Sequence, residues 1–288
     1  MRPLRFVAAL VLIVALPALA WAQDAAEEEV PYIKSPQRVV DKMLDLAKVG
    51  PDDFLIDLGS GDGRIVITAA KDRGARGFGV ELDPNLVEAS NDAARKAGVA
   101  ARAQFFTRDL FETDISRASV LTMYLLPEVN LKLRPRILRE LKPGTRVLSH
   151  DWDMGEWQAD EHVVLEGLNK PVMPIQASTI YLWIVPARVA GTWRLQVEGA
   201  KEAMELELTQ RFQEIAGVAR RTHARSLLQD AKLRGAEIRF SVIEETGQPS
   251  EPLQFIGNVS GDSMEGTTGS GTGWRAQRQA NSEPNPVR

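Results

Sequence analysis

The stretch that most constrains the fold is residues 54–64, which read Phe-Leu-Ile-Asp-Leu-Gly-Ser-Gly-Asp-Gly-Arg. An apolar run with one acid, followed by glycines, predicts a short buried parallel strand and a tight turn, and a helix should then run over 64–70. Glycines in such a turn let peptide N–H groups approach a ligand, and the helix N-terminus adds positive potential at the same place. The stretch therefore predicts a nucleotide-type binding loop in an α/β fold.

The spacing of the loop glycines indicates the ligand. Gly59, Gly61 and Gly63 give the pattern G-x-G-x-G, whereas dinucleotide sites use G-x-G-x-x-G. Asp57 before the loop and Asp62 within it would repel a pyrophosphate but would attract a ligand that carries ammonium and sulfonium charge. S-adenosylmethionine carries both, so the loop favours this cofactor over a nicotinamide dinucleotide.

The next predicted strand, 77–82, contributes a second acid to the same sheet edge. Glu81 follows Gly61 by 81 − 61 = 20 residues, which matches the interval of about 20 residues at which an acid binds ribose hydroxyls. We therefore expect Glu81 to bind the ribose, with Leu82 beside it in the cofactor site.

At 57–63 and 81–83 the chain resembles class I, seven-strand S-adenosylmethionine-dependent methyltransferases. More narrowly, it resembles the family of mitochondrial lysine methyltransferases that act on ATP synthase c subunit and the adenine nucleotide translocase. The segments that carry this likeness are 31–32, 57–70, 86–87, 124–127 and 141–147. The resemblance covers roughly 31–157, and it implies an α/β, Rossmann-like seven-strand sheet, S-adenosylmethionine as the cofactor and a protein lysine as the methyl acceptor.

The resemblance also implies how the cofactor is held. Asp109, after the predicted strand 103–107, is expected to accept a hydrogen bond from the adenine amino group, with Leu110 or Phe111 against the ring. An Asp109 that only caps a helix is the alternative. Tyr32 lies either against the methionine moiety or in ordinary packing. The complete predicted cofactor set is Tyr32, Asp57, Gly59, Ser60, Gly61, Asp62, Gly63, Glu81, Leu82, Asp109 and Leu110.

The acceptor site is expected where the predicted strand 119–124 ends, at Tyr124-Leu125-Leu126-Pro127. Amino-methylating relatives often carry Asn/Asp-Pro-Pro-Tyr at this corner. Because the amide or acid of that pattern is missing here, Tyr124 and backbone carbonyls would have to orient the amine. Tyr124, Pro127 and Asp151 are the predicted catalytic residues.

The segment 150–153 follows the fifth predicted strand, 145–149, and belongs to the same edge. Asp151 could attract a cationic lysine, while Trp152 and Trp157 could line a channel for its stem. His150 is expected to be structural, because in-line methyl transfer from a sulfonium requires orientation and an unprotonated amine more than a general base.

The composition disfavours other classes of partner and cofactor. A formal net charge of −4 gives no basic field for nucleic acid. Without cysteine, disulfides and thiolate zinc sites are excluded, and the three histidines lie in distant segments. We therefore predict no metal, and the oligomeric state stays open.

Residues 1–22 have the pattern of a secretory signal, with Arg2 and Arg5 before an apolar run and Ala-Trp-Ala at 20–22. An uncleaved anchor is the alternative. Both predict a location outside the cytoplasm, the periplasm in a Gram-negative cell, although S-adenosylmethionine is a cytosolic metabolite. The mitochondrial relatives are membrane-anchored through their N-terminal part, which implies proximity to a membrane. Residues 23–34 are predicted to form a linker and cofactor-capping segment.

The remaining chain divides into two predicted domains. The methyltransferase domain should span 35–186, beginning with a helix that Ser35 caps and Pro36 opens, and ending with an antiparallel pair at 162–168 and 175–185. Alternating apolar residues over 190–278 predict a small β-barrel or sandwich, with a flexible turn at 263–273 and a loose tail at 279–288.

The β-rich domain has no residues at a spacing typical of a catalytic site. Its tryptophans Trp193 and Trp274 are expected to pack in its core. It could bind a substrate protein, a lipid or another copy of the chain. An alternative to catalysis is an exported binding protein that keeps the methyltransferase fold while the β domain performs the function.

Overall fold

The computed structural model describes residues 33–168, 176–222, 224–243 and 252–280. The predicted signal at 1–22, most of the linker, Tyr32 and nearly all of the tail therefore lie outside the described residues. Within the described part of the chain, no helix is long and apolar enough to cross a bilayer.

A mixed sheet of seven strands organises the first half of the molecule. Its order is β3-β2-β1-β4-β5-β7-β6, in which the first five strands of the chain run parallel and the last two pair antiparallel. The strands are β1 Phe54–Leu58, β2 Arg76–Glu81, β3 Ala103–Thr107, β4 Val120–Met123, β5 Arg146–His150, β6 Glu161–Leu165 and β7 Ser178–Ile184. The predicted Rossmann-like class is confirmed, and the strand order reverses between β1 and β4, where such sheets bind ligands.

Helices cover both faces of this sheet. They are α1 Gln37–Leu46, α2 Arg64–Asp72, α3 Pro84–Lys96 and α4 Pro127–Glu140. The first three share one apolar cluster with alternate sheet residues such as Leu55 and Leu148. Residues that point to the other face, such as Ile56 and Val147, pack with α4. This alternation is what a strand buried on both sides requires.

The start of α1 differs from the prediction. Pro36 is the residue before the helix, and no side chain caps the first turn. Ser35 as N-cap is therefore wrong, because its hydroxyl lies next to a ring nitrogen of His150 instead, 2.8 Å away.

The second half of the molecule is a closed antiparallel barrel of eight strands, ordered β10-β11-β12-β13-β14-β15-β8-β9. Its strands are β8 Gly191–Val197, β9 Met204–Arg211, β10 Glu214–Arg221, β11 Ala224–Arg234, β12 Glu237–Val242, β13 Leu253–Ser260, β14 Ser263–Thr268 and β15 Gly273–Arg278. The predicted all-β domain is confirmed as a barrel. Phe240 stacks on Phe255 with ring centroids 4.8 Å apart, and the buried Trp193 and Trp274 pack in the same core.

Two barrel strands were not predicted. In β11 the register shifts between Gln229 and Lys232, which interrupts the alternation that indicates a strand. The predicted flexible turn at 263–273 is wrong over β14, where Met264 and Thr268 point into the barrel. Gly266 made this segment look like a turn in the sequence. In the structure a Cβ at this position would lie 2.0 Å from the carbonyl oxygen of Ile256, so only glycine fits so close to β13.

Candidate active site

The glycine loop between β1 and α2 is held tightly against neighbouring strands. Gly59, Gly61 and Gly63 all have positive φ, at 73°, 52° and 75°, a region that favours glycine. A Cβ on Gly63 would lie 2.5 Å from the Phe105 ring, and one on Gly59 would lie 2.7 Å from the Leu125 side chain. The loop is therefore packed closely at the sheet edge and lies directly beside the corner that follows β4.

Glu81 lies against this loop, at the end of β2. Its carboxylate accepts a hydrogen bond from the Gly61 N–H at 3.0 Å and another from the Leu82 N–H at 2.7 Å. These bonds fix the carboxylate at the mouth of the loop, with the apolar Leu82 side chain 65% exposed beside it. An acid and an apolar surface at this position suit a ribose and the adenine next to it.

Asp57 does not project from the sheet edge as its position in the sequence suggested. Its side chain is buried between β1 and β4, where the Thr122 hydroxyl donates to it at 2.7 Å. The pKa of Asp57 is raised to about 8, mainly by burial and in smaller part by the charges of Glu81 and Asp62, while the Thr122 bond opposes the shift. Asp57 is therefore a buried titratable group beneath the loop.

Asp62 is engaged within the protein. Arg64 Nε donates to its carboxylate at 2.8 Å, and Lys34 Nζ lies 3.7 Å from it. Arg64 also donates through Nη1 to the backbone carbonyl of Ser35 at 2.7 Å. Because these cations balance its charge, Asp62 ties the loop to the segment before α1 and contributes less negative potential to a ligand than the sequence indicated.

Ser60 completes the loop. It is buried, and its hydroxyl has no hydrogen-bond partner within the described residues. Its side chain lies against Gly79 of β2. The N–H groups of Gly59, Ser60, Gly61 and Gly63 are bonded within the protein, so the shape of the loop is fixed before any ligand binds. Such a loop, with the Glu81 carboxylate at its mouth, fits a nucleoside that carries positive charge.

Asp109 follows β3 and closes a local turn. One of its carboxylate oxygens accepts the Phe111 N–H at 2.7 Å, as in an Asx-turn. The helix-cap alternative is wrong, because the next helix in the chain is α4, which begins at Pro127. Leu110 packs partly into the core beside it, whereas Phe111 is largely exposed. The contact of Asp109 and Leu110 with adenine remains a prediction.

Tyr124 and Asp151 meet at the next strand ends. The Tyr124 hydroxyl donates to Asp151 Oδ2 at 3.2 Å, and burial together with the Asp151 charge raises the pKa of Tyr124, so its hydroxyl stays protonated. Pro127 opens α4 shortly after this tyrosine. Because Leu125 touches Gly59, this corner adjoins the cofactor loop.

His150 supports this pair from below. It is fully buried, with Ser35 Oγ 2.8 Å from Nδ1 and Ser178 Oγ 2.6 Å from Nε2. Its ring lies 3.9 Å from the Tyr124 ring, centroid to centroid. With both nitrogens bonded to serines, His150 acts as a support for Tyr124. Sequence reasoning missed Ser35 and Ser178 as partners, since small polar residues on separate elements carry no spacing signal.

The two tryptophans after Asp151 differ in their surroundings. Trp152 is 36% exposed beside the acceptor corner, whereas Trp157 is buried. Trp157 stacks on Phe212 of the barrel and packs near Trp183. The prediction that Trp157 lines an acceptor channel is therefore wrong, because this side chain belongs to the core.

The sheet order, the glycine loop and the acid at the end of β2 define a class I, S-adenosylmethionine-dependent methyltransferase. Residues 57–161 match the family model of the ANTKMT methyltransferase domain. The chain is 43% identical over 157 residues to the protein-lysine N-methyltransferase of Saccharolobus islandicus, an alignment that covers 54% of this chain and 94% of that protein. It therefore belongs to the family of that archaeal protein, and its cofactor is S-adenosylmethionine.

Two further relatives extend the comparison. The human ATP synthase c-subunit lysine N-methyltransferase is 34% identical over 149 residues, which cover 52% of this chain and 62% of the human protein. The crystal structure of an RNA methyltransferase from Salinibacter ruber, in complex with S-adenosyl-L-homocysteine, is 52% identical with a TM-score of 0.50. That match covers 55% of this chain and 96% of the other.

Proposed function

We propose that this enzyme transfers the methyl group to the side-chain amine of a protein lysine. The observation that carries the proposal is the Tyr124–Asp151 pair, which lies beside the cofactor loop at the strand ends. When bound, S-adenosylmethionine supplies a methyl group on a positively charged sulfur. A lysine ammonium must first release a proton to solvent. The residues of the chain must then bring the neutral amine into line with that group, so that the N–C bond forms as the C–S bond breaks.

Asp151 and Tyr124 have complementary tasks in this proposal. Asp151 is held rigidly, because its Oδ1 also accepts the Thr179 N–H at 3.0 Å, and its charge attracts a lysine ammonium to the corner. Tyr124 stays protonated and donates a hydrogen bond to Asp151, which leaves a lone pair of the phenol oxygen to accept an N–H of the incoming amine. Orientation of this kind can supply most of what an in-line transfer requires.

The charges around the corner favour an amine over a nucleic acid. The relative from Salinibacter ruber is described as an RNA methyltransferase, so RNA is the competing acceptor. RNA binding requires lysines and arginines placed against phosphates, whereas this corner is bordered by Asp151 and the exposed Asp153 and Glu128. The names of the archaeal and human relatives also support a lysine acceptor.

The decisive experiment uses radiolabelled S-adenosylmethionine and an extract of the native host from which this gene has been deleted. Protein, RNA and lipid are separated after incubation, and the protein is hydrolysed to amino acids. We expect the label in methylated lysine, and its absence with Glu81→Ala enzyme. Label in RNA or lipid would overturn the lysine proposal. Absence of label from every fraction would favour the non-catalytic binding protein.

The location of the enzyme is a separate proposal. The secretory pattern at 1–22 and the likeness to membrane-anchored relatives support a site outside the cytoplasm, near a membrane. Fractionation of host cells that carry a C-terminal epitope tag tests it, and a purely cytosolic signal would contradict it.

A further inference from the structure

The hairpin between β9 and β10 is where the barrel enters the methyltransferase core. Phe212 at its tip is only 4% exposed and packs in the cluster beneath α4, with Met154 and Trp183, instead of in the barrel core. Its ring stacks on Trp157, with centroids 6.1 Å apart and planes 15° from parallel. The barrel therefore supplies a side chain to the other domain's core.

Polar contacts surround this ring. Arg211 pairs with Glu156 at 3.2 Å, and Gln213 Nε2 donates to the Gln158 carbonyl at 2.7 Å. Arg134 of α4 lies over the Phe212 ring at 5.4 Å and donates to the Met154 carbonyl at 2.8 Å. The hairpin tip thus contacts the segment 154–158 along its length.

That segment continues directly from the acceptor corner. Asp151 has a positive φ of 66°, and the chain then folds back so that Met154 bridges to Trp157. Asn130 of α4 donates to the carbonyls of Trp152 and Asp153, at 3.2 and 3.3 Å. Residues 152–158, the acceptor loop, are therefore clamped between α4 on one side and the barrel hairpin on the other.

The backbone of Phe212 indicates that the ring is needed at this place. Its φ is 55°, a conformation that glycine or asparagine adopts far more readily than phenylalanine. Strain of this kind persists only where the surroundings enforce it, and it marks positions with a task. A bulky aromatic residue at a glycine-type turn fits a role in packing Trp157.

We propose that the barrel takes part in methyl transfer by fixing the acceptor loop, with Phe212 as the positioning residue. The chain of contacts runs from Phe212 through Trp157 to the acceptor loop, which contains Trp152 and follows directly after Asp151. The inference rests on the proposed function in that it assigns the segment 151–153 to the acceptor side. It gives the barrel a positioning task that requires no ligand in the barrel itself.

Hydrogen exchange of the loop amides tests the proposal without reference to the acceptor. The Gly155 N–H donates to Asp153 Oδ1 and the Trp157 N–H to the Met154 carbonyl. In Phe212→Leu we expect these amides to exchange about tenfold faster. The matched control is Phe255→Leu, which removes the same volume from the barrel core and should leave both amides unchanged. Equal exchange in Phe212→Leu and the wild type, or equal acceleration in both variants, would overturn the proposal.

Steady-state kinetics gives a measurement that a purely structural role of Phe212 would leave unchanged. With the acceptor identified by radiolabelling, Phe212→Leu should lower kcat/KM for that acceptor about tenfold while cofactor affinity stays within about twofold. Phe212→Tyr, which keeps the ring, should restore it. Should Phe212→Leu fail to fold, Gln213→Ala removes only the bond to Gln158 and should show a smaller acceleration at the same amides. Normal loop exchange in Gln213→Ala would then refute the proposal, whereas failure of the lysine assignment alone would leave the exchange result intact.

Discussion

Ser35 Oγ lies 2.8 Å from Nδ1 of His150, a contact between residues 115 positions apart in the chain. The backbone carbonyl of Ser35 also accepts a hydrogen bond from Arg64, at the start of α2. One residue therefore joins the cofactor loop to the support beneath Tyr124. The segment before α1 becomes part of the active site through its polar groups.

Ser35→Ala should weaken both the fold and catalysis. It leaves one nitrogen of a fully buried His150 without its partner, which costs ~1–3 kcal/mol of unfolding free energy. Turnover should fall more than cofactor affinity, because the Arg64 bond uses the backbone of Ser35 and survives. Chemical denaturation and steady-state kinetics measure the two effects. Ser35→Thr, which keeps the hydroxyl, is the control, and a Ser35→Ala enzyme with full stability would contradict the role.

Glu81→Gln tests the ribose assignment. The change keeps the shape of the side chain and removes its charge, so charge-assisted hydrogen bonds to ribose hydroxyls should lose ~1.5–3 kcal/mol. Calorimetry with S-adenosylmethionine should show this loss. Glu88→Gln, at an exposed position of α3, controls for the general loss of one negative charge. Equal affinity of the Glu81→Gln and wild-type enzymes would remove Glu81 from the site.

Tyr124→Phe separates acceptor orientation from cofactor binding. The variant keeps the ring that packs on His150 but removes the hydroxyl bonded to Asp151. We expect kcat to fall about tenfold or more, with the dissociation constant of the cofactor nearly unchanged. Tyr181→Phe, which removes the hydroxyl of a tyrosine on β7, is the matched control. An unaffected kcat in Tyr124→Phe would exclude Tyr124 from the acceptor corner.

The sheet could be predicted because its strands and glycine loop have a local signal. Residues 54–58 form a mostly apolar run, and Gly59, Gly61 and Gly63 come directly after it. The strand, turn and helix can therefore be predicted from residues that are adjacent in sequence. The barrel strand β14 was missed because its glycine fits a close strand contact that only the closed barrel creates. Local patterns carry no record of such a partner.

The side-chain environment of the site was less predictable than its position. Asp57 and Glu81 look alike as acids near strand ends, yet Asp57 is buried against Thr122 while Glu81 caps the loop. The difference arises because Asp57 points between two parallel strands one residue before β1 ends. Trp157 likewise was predicted for a channel, since nothing near it in sequence reveals Phe212.

Asp57 makes the stability of the free enzyme depend on pH. Its pKa is raised to about 8 in the folded protein from 3.8 as an ordinary aspartate, mainly by burial. Between these values the folded state binds a proton that the unfolded state has released, so the free energy of unfolding falls as pH rises through this window. The stabilisation is complete below about pH 4 and lost above about pH 8.

Asp57→Asn should remove this dependence, because the amide cannot ionise and has nearly the same shape. Thermal unfolding of both proteins between pH 5 and pH 9 measures this dependence. The melting temperature of the variant should rise relative to that of the wild type as pH increases to about 8, and above that pH the difference should stay constant. Thr122→Val, which removes the donor to Asp57, is the informative companion: it should raise the pKa of Asp57 and extend the decline in stability to higher pH. Parallel melting curves across the whole range would show that Asp57 is ionised in the fold and would contradict its raised pKa.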